Sequence, residues 1–572
     1  MKKWKILNKT KELDKDELIK ILLENRGIKT KKEIEEFLDP KLSDITASGV
    51  GIDKKQLEKT IERIRKAILA KEQIVIFGDY DVDGICGTAI LWETLNDLGA
   101  KVMPYIPYRM DEGYGLSIQG IENFKSQIPN PKLIITVDNG IVANDAVDFA
   151  NENGIDVIIT DHHVPSQKVP NAHSIVHTTK ICGTGVAYLL AQEFKIQNSK
   201  FKINENTHLE LVALATIADL VPLKEENRTF VKFGLEELRR TKRTGLLALI
   251  KEAGINKELI NTYEIGHIIA PRLNAMGRLE YAMDSLRLLC TNDDSRAKNL
   301  AYKLGVTNRR RQEMTIDSFE HARLKVKSQS MRQAQDKQLK VKSLIFVGHE
   351  SYQQGVVGLI AGRLVEEFYR PTIVVSKGEK ISRASARSIS GFNIIEFIRN
   401  ASKFLVDAGG HPMAAGFTVE TEKLSLVQEK LEKLAEKMLN EDMLTQSLRV
   451  DCEIKFSLID NNLYDAIQTL APFGMGNLQP SFVSKKVIIE DIRLVGADRK
   501  HLKLKLSQLN SPIQFDAIGF GMGKMSEKIR IGDRIDLVYQ IEQNEWPARH
   551  ATQGIAGGNG NSKLQLKIKD FR

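Results

Sequence analysis

The sequence predicts an α/β protein of several domains: a parallel, doubly wound sheet, a long linking helix, a second and smaller α/β unit, and a C-terminal β-barrel. Three observations carry this. Between residues 53 and 163 short apolar runs alternate with amphipathic stretches of period near 3.6, the pattern of strands joined by crossover helices. From Asn308 to Lys342 ten Lys or Arg stand against four Asp or Glu, with no Gly or Pro, as in a long exposed helix. From about Arg449 the period drops to two, as in Lys503-Leu-Lys-Leu506 and Leu564-Gln-Leu-Lys-Ile568, which suits the short strands of a barrel.

The 572 residues exceed one core and, at roughly 100–200 residues per domain, imply three or four units. Apolar content of 42% and charged content of 27% are those of a globular protein. A net charge of +9 tilts the chain towards a polyanionic partner. Cys86, Cys182, Cys290 and Cys452 lie far apart with no Cys-x-x-Cys pair, so neither a zinc ribbon nor a disulfide framework is expected, and a cytoplasmic location fits. The N-terminal Met-Lys-Lys-Trp-Lys-Ile-Leu-Asn lacks an apolar core, and no stretch of about 18 apolar residues occurs; neither secretion nor a membrane is expected.

In order, residues 1–50 read as a helical extension with Leu18, Ile19, Leu22 and Leu23 on one face, and 53–70 as an amphipathic helix. The apolar run from Ile74 is a buried strand that meets Asp79, Asp81 and Asp83, after which a helix runs over 85–98. Strand 102–106, a loop with Arg109 and Glu112-Gly-Tyr-Gly115, and helix 117–125 follow. Strand 133–137 runs into Asp138, helix 142–153 follows, and strand 156–160 ends in Asp161-His162-His163. A further helix from Leu209 to Ala218 stops at Asp219-Leu-Val-Pro222.

In a parallel sheet the ends of these three strands share one edge, where ligands collect. Three carboxylates crowded within five residues stay ionised together only around strong positive charge, most simply divalent metal. One such acidic loop could be a solvated turn; acids at three strand ends, with histidines at the last, favour a metal site. Carboxylates with imidazole and no thiolate suit Mn²⁺ or Mg²⁺. Five or six ligands exceed one ion's needs and would hold two, about 3.5–4 Å apart, with Asp138 on the middle strand as the bridge; the chemistry is hydrolysis of a phosphoester or phosphoanhydride.

These residues resemble the DHH phosphoesterase superfamily, and within it the single-stranded-DNA-specific exonucleases. Gly78-Asp-Tyr-Asp-Val-Asp-Gly84, Val137-Asp-Asn-Gly140, Asp161-His-His163 and Ala218-Asp-Leu-Val-Pro222 match its first four motifs. Ile106-Pro-Tyr-Arg109, Cys182-Gly-Thr-Gly-Val-Ala187 and Arg272-Leu-Asn-Ala-Met-Gly-Arg278 match further ones. The likeness runs on through Gly355-Val-Val-Gly358, Ser385-Ala-Arg-Ser388 and Gly409-Gly-His-Pro-Met-Ala-Ala-Gly416 to Phe473-Gly-Met-Gly-Asn477.

The resemblance implies a helical extension at 1–50, a DHH catalytic domain at 51–305, the basic helix at 306–342, a DHHA1 domain at 343–445 and an OB-like domain at 446–572. It implies Asp79, Asp81, Asp83, Asp138, His162 and Asp219 as ligands of two Mn²⁺ or Mg²⁺ ions, with His163 facing phosphate or supporting a ligand. Phe77 stands where relatives often have histidine, so either Asp79 takes over that contact or the first ion is held more weakly. Arg109, Ser385 and Arg387 are the implied clamp for a terminal 5′-phosphate, Gly409, Gly410 and His411 a phosphate approach, and Arg272, Asn274 and Arg278 substrate contacts, with Arg278 obstructing duplex entry. Tyr352-Gln353-Gln354 replaces a usual Trp-His-Pro, and Ala386 a usual glycine.

The expected function is a 5′ to 3′ exonuclease in DNA repair and recombination that threads single-stranded DNA between the α/β domains and releases 5′-mononucleotides. A monomer is expected, with a helicase and a single-strand DNA-binding protein as implied partners. Two rivals are a silent single-strand-binding replication scaffold and a phosphodiesterase of short oligoribonucleotides or cyclic dinucleotides. Phe473, Phe482, Phe515 and Phe520 are candidate stacking rings, most of them expected in the barrel core.

Overall fold

The alternation of apolar runs and amphipathic helices produces a five-stranded parallel sheet with strands in the order Lys101–Tyr105, Gln73–Gly78, Pro131–Val137, Asp156–Asp161, Ser174–His177. The computed structural model describes residues 2–10, 13–109, 111–196, 206–333, 342–509, 512–544 and 563–572. Successive residues of a strand feed opposite cores. Ile74 and Ile76 pack with helices Lys54–Leu69, Val82–Asp97 and Gly183–Ile196, while Val75 and Phe77 pack with Ile118–Gln127 and Asn144–Glu152. Strand Ser174–His177 goes beyond the sequence expectation: four residues, alternately buried and half-buried, carry too little periodicity to stand out.

The chain divides into two compact units, one of Lys5–Gly277, Tyr281–Gly305 and Arg449–Arg572, the other built mainly from Val306–Leu448. In the first, the C-terminal strands close a barrel: Phe482–Val495, His501–Gln508, Gln514–Gly519, Leu564–Phe571 and Arg534–Gln543 pair in turn, and the last pairs with the first. Leu18, Ile21, Leu22 and Leu23 of helix Lys15–Glu24 share one buried cluster with the barrel's inward side chains, their helix packing on helix Asn461–Gln468, so the N-terminal extension belongs with the barrel and is not an appendage. The hairpin expected at Gly554–Ser562 lies outside the described residues.

The second unit has a five-stranded mixed sheet in the order Asp407–His411, Ala414–Glu420, Ile381–Arg387, Thr372–Ser376, Ile345–His349, with helix Val357–Phe368 where the sequence places it. The long helix spans Asp294–Gln333. It starts well before Asn308, because Asp293 caps it by accepting the Arg296 N–H at 2.6 Å; the charge count detects its basic part and not its cap. Among the described residues no helix is long and apolar enough to cross a membrane.

Candidate metal centre

Each acidic side chain at the sheet edge is set by a local backbone device. Asp81 caps helix Val82–Asp97, its Oδ1 accepting the N–H groups of Asp83 at 3.0 Å and Gly84 at 3.2 Å. The Val82 N–H donates to Asn274 Oδ1 at 3.0 Å. Asp83 is gripped by the N-terminus of helix Gly183–Ile196: the N–H groups of Gly183 and Thr184 each donate to its carboxylate at 2.7 Å. A side chain at Gly183 would place its Cβ 2.7 Å from Asp138 Cβ, so glycine is required. Asp138 itself holds φ +62°, a left-handed conformation rare away from glycine, and its N–H donates to Thr160 O at 3.0 Å.

The strand ends do converge. Asp79, Asp81 and Asp138 bring ligand atoms within 4.8 Å of one another, as do Asp83, His162 and Asp219, and Asp138, His162 and His163. His162 Nε2 lies 3.1 Å from Asp138 Oδ1, 3.6 Å from Asp83 Oδ2 and 3.8 Å from Asp219 Oδ2, so the groups are contiguous. Asp79, Asp83 and Asp138 are buried, and neither oxygen of Asp79 finds a hydrogen bond. Burial, then the charge of neighbouring carboxylates, drives Asp79 and Asp138 well above the usual range, raises Asp81, and pushes Asp219 up to about 8. Buried carboxylates with unmet oxygens, more of them than the neighbouring His163 and Arg109 can neutralise, fit divalent cations bound through oxygen and one imidazole.

Asp161 departs from the pattern. Its carboxylate accepts the N–H groups of Ile141 at 2.9 Å and His162 at 2.7 Å and pairs with His163 Nδ1 at 2.8 Å. Burial alone would raise its pKa, but the hydrogen bond from His163 holds it below the usual value. Burial likewise opposes charge on His163, yet Asp161 outweighs it and brings that pKa up to about 9. His163 Nε2 then lies 3.0 Å from the Tyr114 hydroxyl. Asp161 thus orients His163. Sequence reasoning missed the roles of Asp161, Tyr114, Gly183 and Thr184. The signal for the last two was Cys182-Gly-Thr-Gly opening a helix, a known anion grip.

The remaining predicted residues divide. Arg109 lies over the Tyr80 ring, 5.0 Å from its centre. Arg272 is instead committed to the protein, bonding Glu252 at 2.9 Å and Ile268 O at 2.9 Å, and Asn274 is spent on the acidic loop. In the second unit Arg278 bonds Gly355 O at 3.2 Å. Ser385 and Arg387 touch at 3.1 Å beside Gly358, in the first turn of helix Val357–Phe368. Gly409, Gly410 and His411 belong to an exposed edge strand. In the barrel Phe482 and Phe515 are buried, Phe473 packs against the core, and Phe520 is exposed.

Comparison with known proteins agrees with this geometry. The DHH family N-terminal domain matches residues 73–216, the DHHA1 domain 336–437 and the RecJ OB domain 450–570. The single-stranded-DNA-specific exonuclease RecJ of Bacillus subtilis is 36% identical, over 99% of this chain and 69% of that one. The Haemophilus influenzae RecJ is 30% identical, over 96% and 95%. The crystal structure of Thermus thermophilus RecJ in complex with Mn²⁺ aligns with a TM-score of 0.80 at 26% identity, over 100% of this chain and 79% of that one.

Proposed function

Because this chain belongs to the RecJ family of single-stranded-DNA-specific exonucleases, we propose that it hydrolyses single-stranded DNA from the 5′ end and releases 5′-mononucleotides. It is a metal-dependent exonuclease of DNA repair and recombination that uses Mn²⁺ or Mg²⁺. The observation that carries the mechanism is the contiguity of the two ligand groups at Asp138 and His162. Asp79, Asp81 and Asp138 would hold one ion, and Asp83, His162 and Asp219 the other, with Asp138 between them. When bound, the pair supplies an activated water and neutralises charge on the reacting phosphate. Asp161 favours the charged form of His163 and fixes its ring, and the His163–Tyr114 pair would offer its donors to a phosphate oxygen.

End recognition belongs to Ser385 and Arg387. A helix N-terminus, a hydroxyl and a guanidinium together suit a dianionic terminal phosphate better than an internal diester, which carries one charge. We assign Arg109 to the same end recognition, and the exposed Phe520 would stack on the strand. The four free cysteines suit a cytoplasmic enzyme, which we place there as a monomer working with a helicase and a single-strand DNA-binding protein. A scaffold with a dead site would have no use for the intact ligand set.

The test is release of mononucleotides from a 5′-phosphorylated single strand with Mn²⁺, beside an Asp138→Ala control. The variant should lose at least about 10³-fold in rate, as removal of a group central to charge stabilisation does. Equal rates in the two proteins would end the assignment.

A further inference from the structure

One ligand differs from the rest. Asp79, Asp138 and His162 directly follow the ends of buried strands, and Asp81 and Asp83 are the cap and first turn of the helix that leaves one of them. Asp219 stands at the C-terminal end of helix Leu209–Ala218, and its side chain is 34% exposed. The helix dipole there repels a carboxylate. The next residue, Leu220, holds φ +58°, which a leucine keeps only where its surroundings enforce it.

The surroundings come from the barrel's leading segment. The Leu223 N–H donates to Met475 O at 2.7 Å. A Cβ at Gly476, whose φ is +75°, would lie 2.9 Å from Pro222 Cβ, and one at Gly474 would lie 2.7 Å from Leu223 Cδ1. Phe473-Gly-Met-Gly-Asn477 therefore seats directly on the turn that follows Asp219. It is itself rigid. Asn477 Nδ2 donates to Leu470 O and Pro472 O, both at 2.8 Å, and its Oδ1 accepts from Arg26 Nε at 2.8 Å. Thr262 Oγ1 donates to Phe473 O at 2.6 Å. On the other side of the turn, helix Glu225–Arg240 carries the buried Arg228, whose guanidinium bonds Leu470 O at 2.9 Å, Ala471 O at 2.7 Å and Phe37 O at 2.9 Å.

We infer that the 473–477 loop is a positioning element for the metal centre: it fixes the Asp219 turn, and so sets the affinity of the ion position formed by Asp83, His162 and Asp219 without altering the one formed by Asp79, Asp81 and Asp138. Asn477 and Thr262 are positioning residues, acting through the Pro222–Leu223 backbone. The inference rests on the two-ion reading above and adds that the barrel's leading segment is needed to complete one of the two positions.

The experiment measures Mn²⁺ binding to the full chain without DNA, by calorimetry and by the paramagnetic signal of free Mn²⁺. The unaltered protein should bind two ions and Asp219→Ala one. Asn477→Ala and the milder Thr262→Val should keep one ion at its original affinity and weaken the other by about tenfold, the scale of lost support behind a ligand, with occupancy restored by excess Mn²⁺. Two ions at unaltered affinity in folded variants, or equal weakening of both, would overturn the inference while leaving the two-ion reading intact. If Asn477→Ala does not fold, Thr262→Val decides. Fewer than two ions on the unaltered protein would remove both.

Discussion

Asp79, Asp138 and Asp219 are acids whose folded environment favours the protonated form, through burial first and neighbouring carboxylates second. A carboxyl whose folded pKa lies above its unfolded value binds more protons when folded, so the metal-free protein loses stability as pH rises from about 4 towards 8. Divalent ions reverse the sign by favouring the ionised form. The melting temperature without metal should fall by roughly 5 °C or more between pH 5 and pH 8, and Mn²⁺ should raise it more at pH 8 than at pH 5. A metal-free melting curve independent of pH would contradict the electrostatic account. At this scale the convergence of the acidic and imidazole side chains was legible, because groups at successive strand ends of a parallel sheet share one edge. The partners of those side chains were not: nothing in the types Asp, His, Tyr says that Asp161 turns inward to His163 while His162 faces Asp138.

At the scale of elements, the strands and helices of the first sheet follow from hydrophobic period, and departures arise where a contact outside the element sets its end. Helix Val82–Asp97 begins before the expected 85 because Asp81 caps it. Gly409 and Gly410, expected only as a phosphate approach, pair with Gly416 and Ala415 of the next strand and form a sheet edge. The helix starting at Gly183 illustrates what an element can do for chemistry: its first two N–H groups hold Asp83, and its first residue lets Asp138 pass within van der Waals reach. Gly183→Ala should push Asp138 away from His162. The turnover rate at saturating Mn²⁺ should fall about 10²-fold, with a lowered melting temperature, because the added Cβ also meets the Asp138 backbone. Unchanged turnover would show that Asp138 tolerates displacement.

Across the molecule, the least legible feature was which distant segments share a core. Leu18, Ile21, Leu22 and Leu23 formed a recognisable helical face, but a face does not name its partner, and here the partner is a barrel more than 400 residues later in the chain. The same unit joins barrel and catalytic sheet through Arg228, whose donors are taken up by backbone carbonyls of Phe37 and of residues 469–471; burying a guanidinium without a carboxylate is tolerable only because those carbonyls satisfy it. This makes the N-terminal helix a stabiliser of the barrel. Leu22 is fully buried there, and Leu22→Ala should cost about 2–5 kcal/mol by the usual penalty for an unfilled core site. Amide exchange should locate that loss: faster exchange is expected in Leu502–Leu506 and Leu564–Ile568, whose side chains share the core with Leu22, and little change in Leu133–Val137 of the catalytic sheet. Exchange that quickens in the catalytic strands and spares the barrel would show that the helix serves the other core.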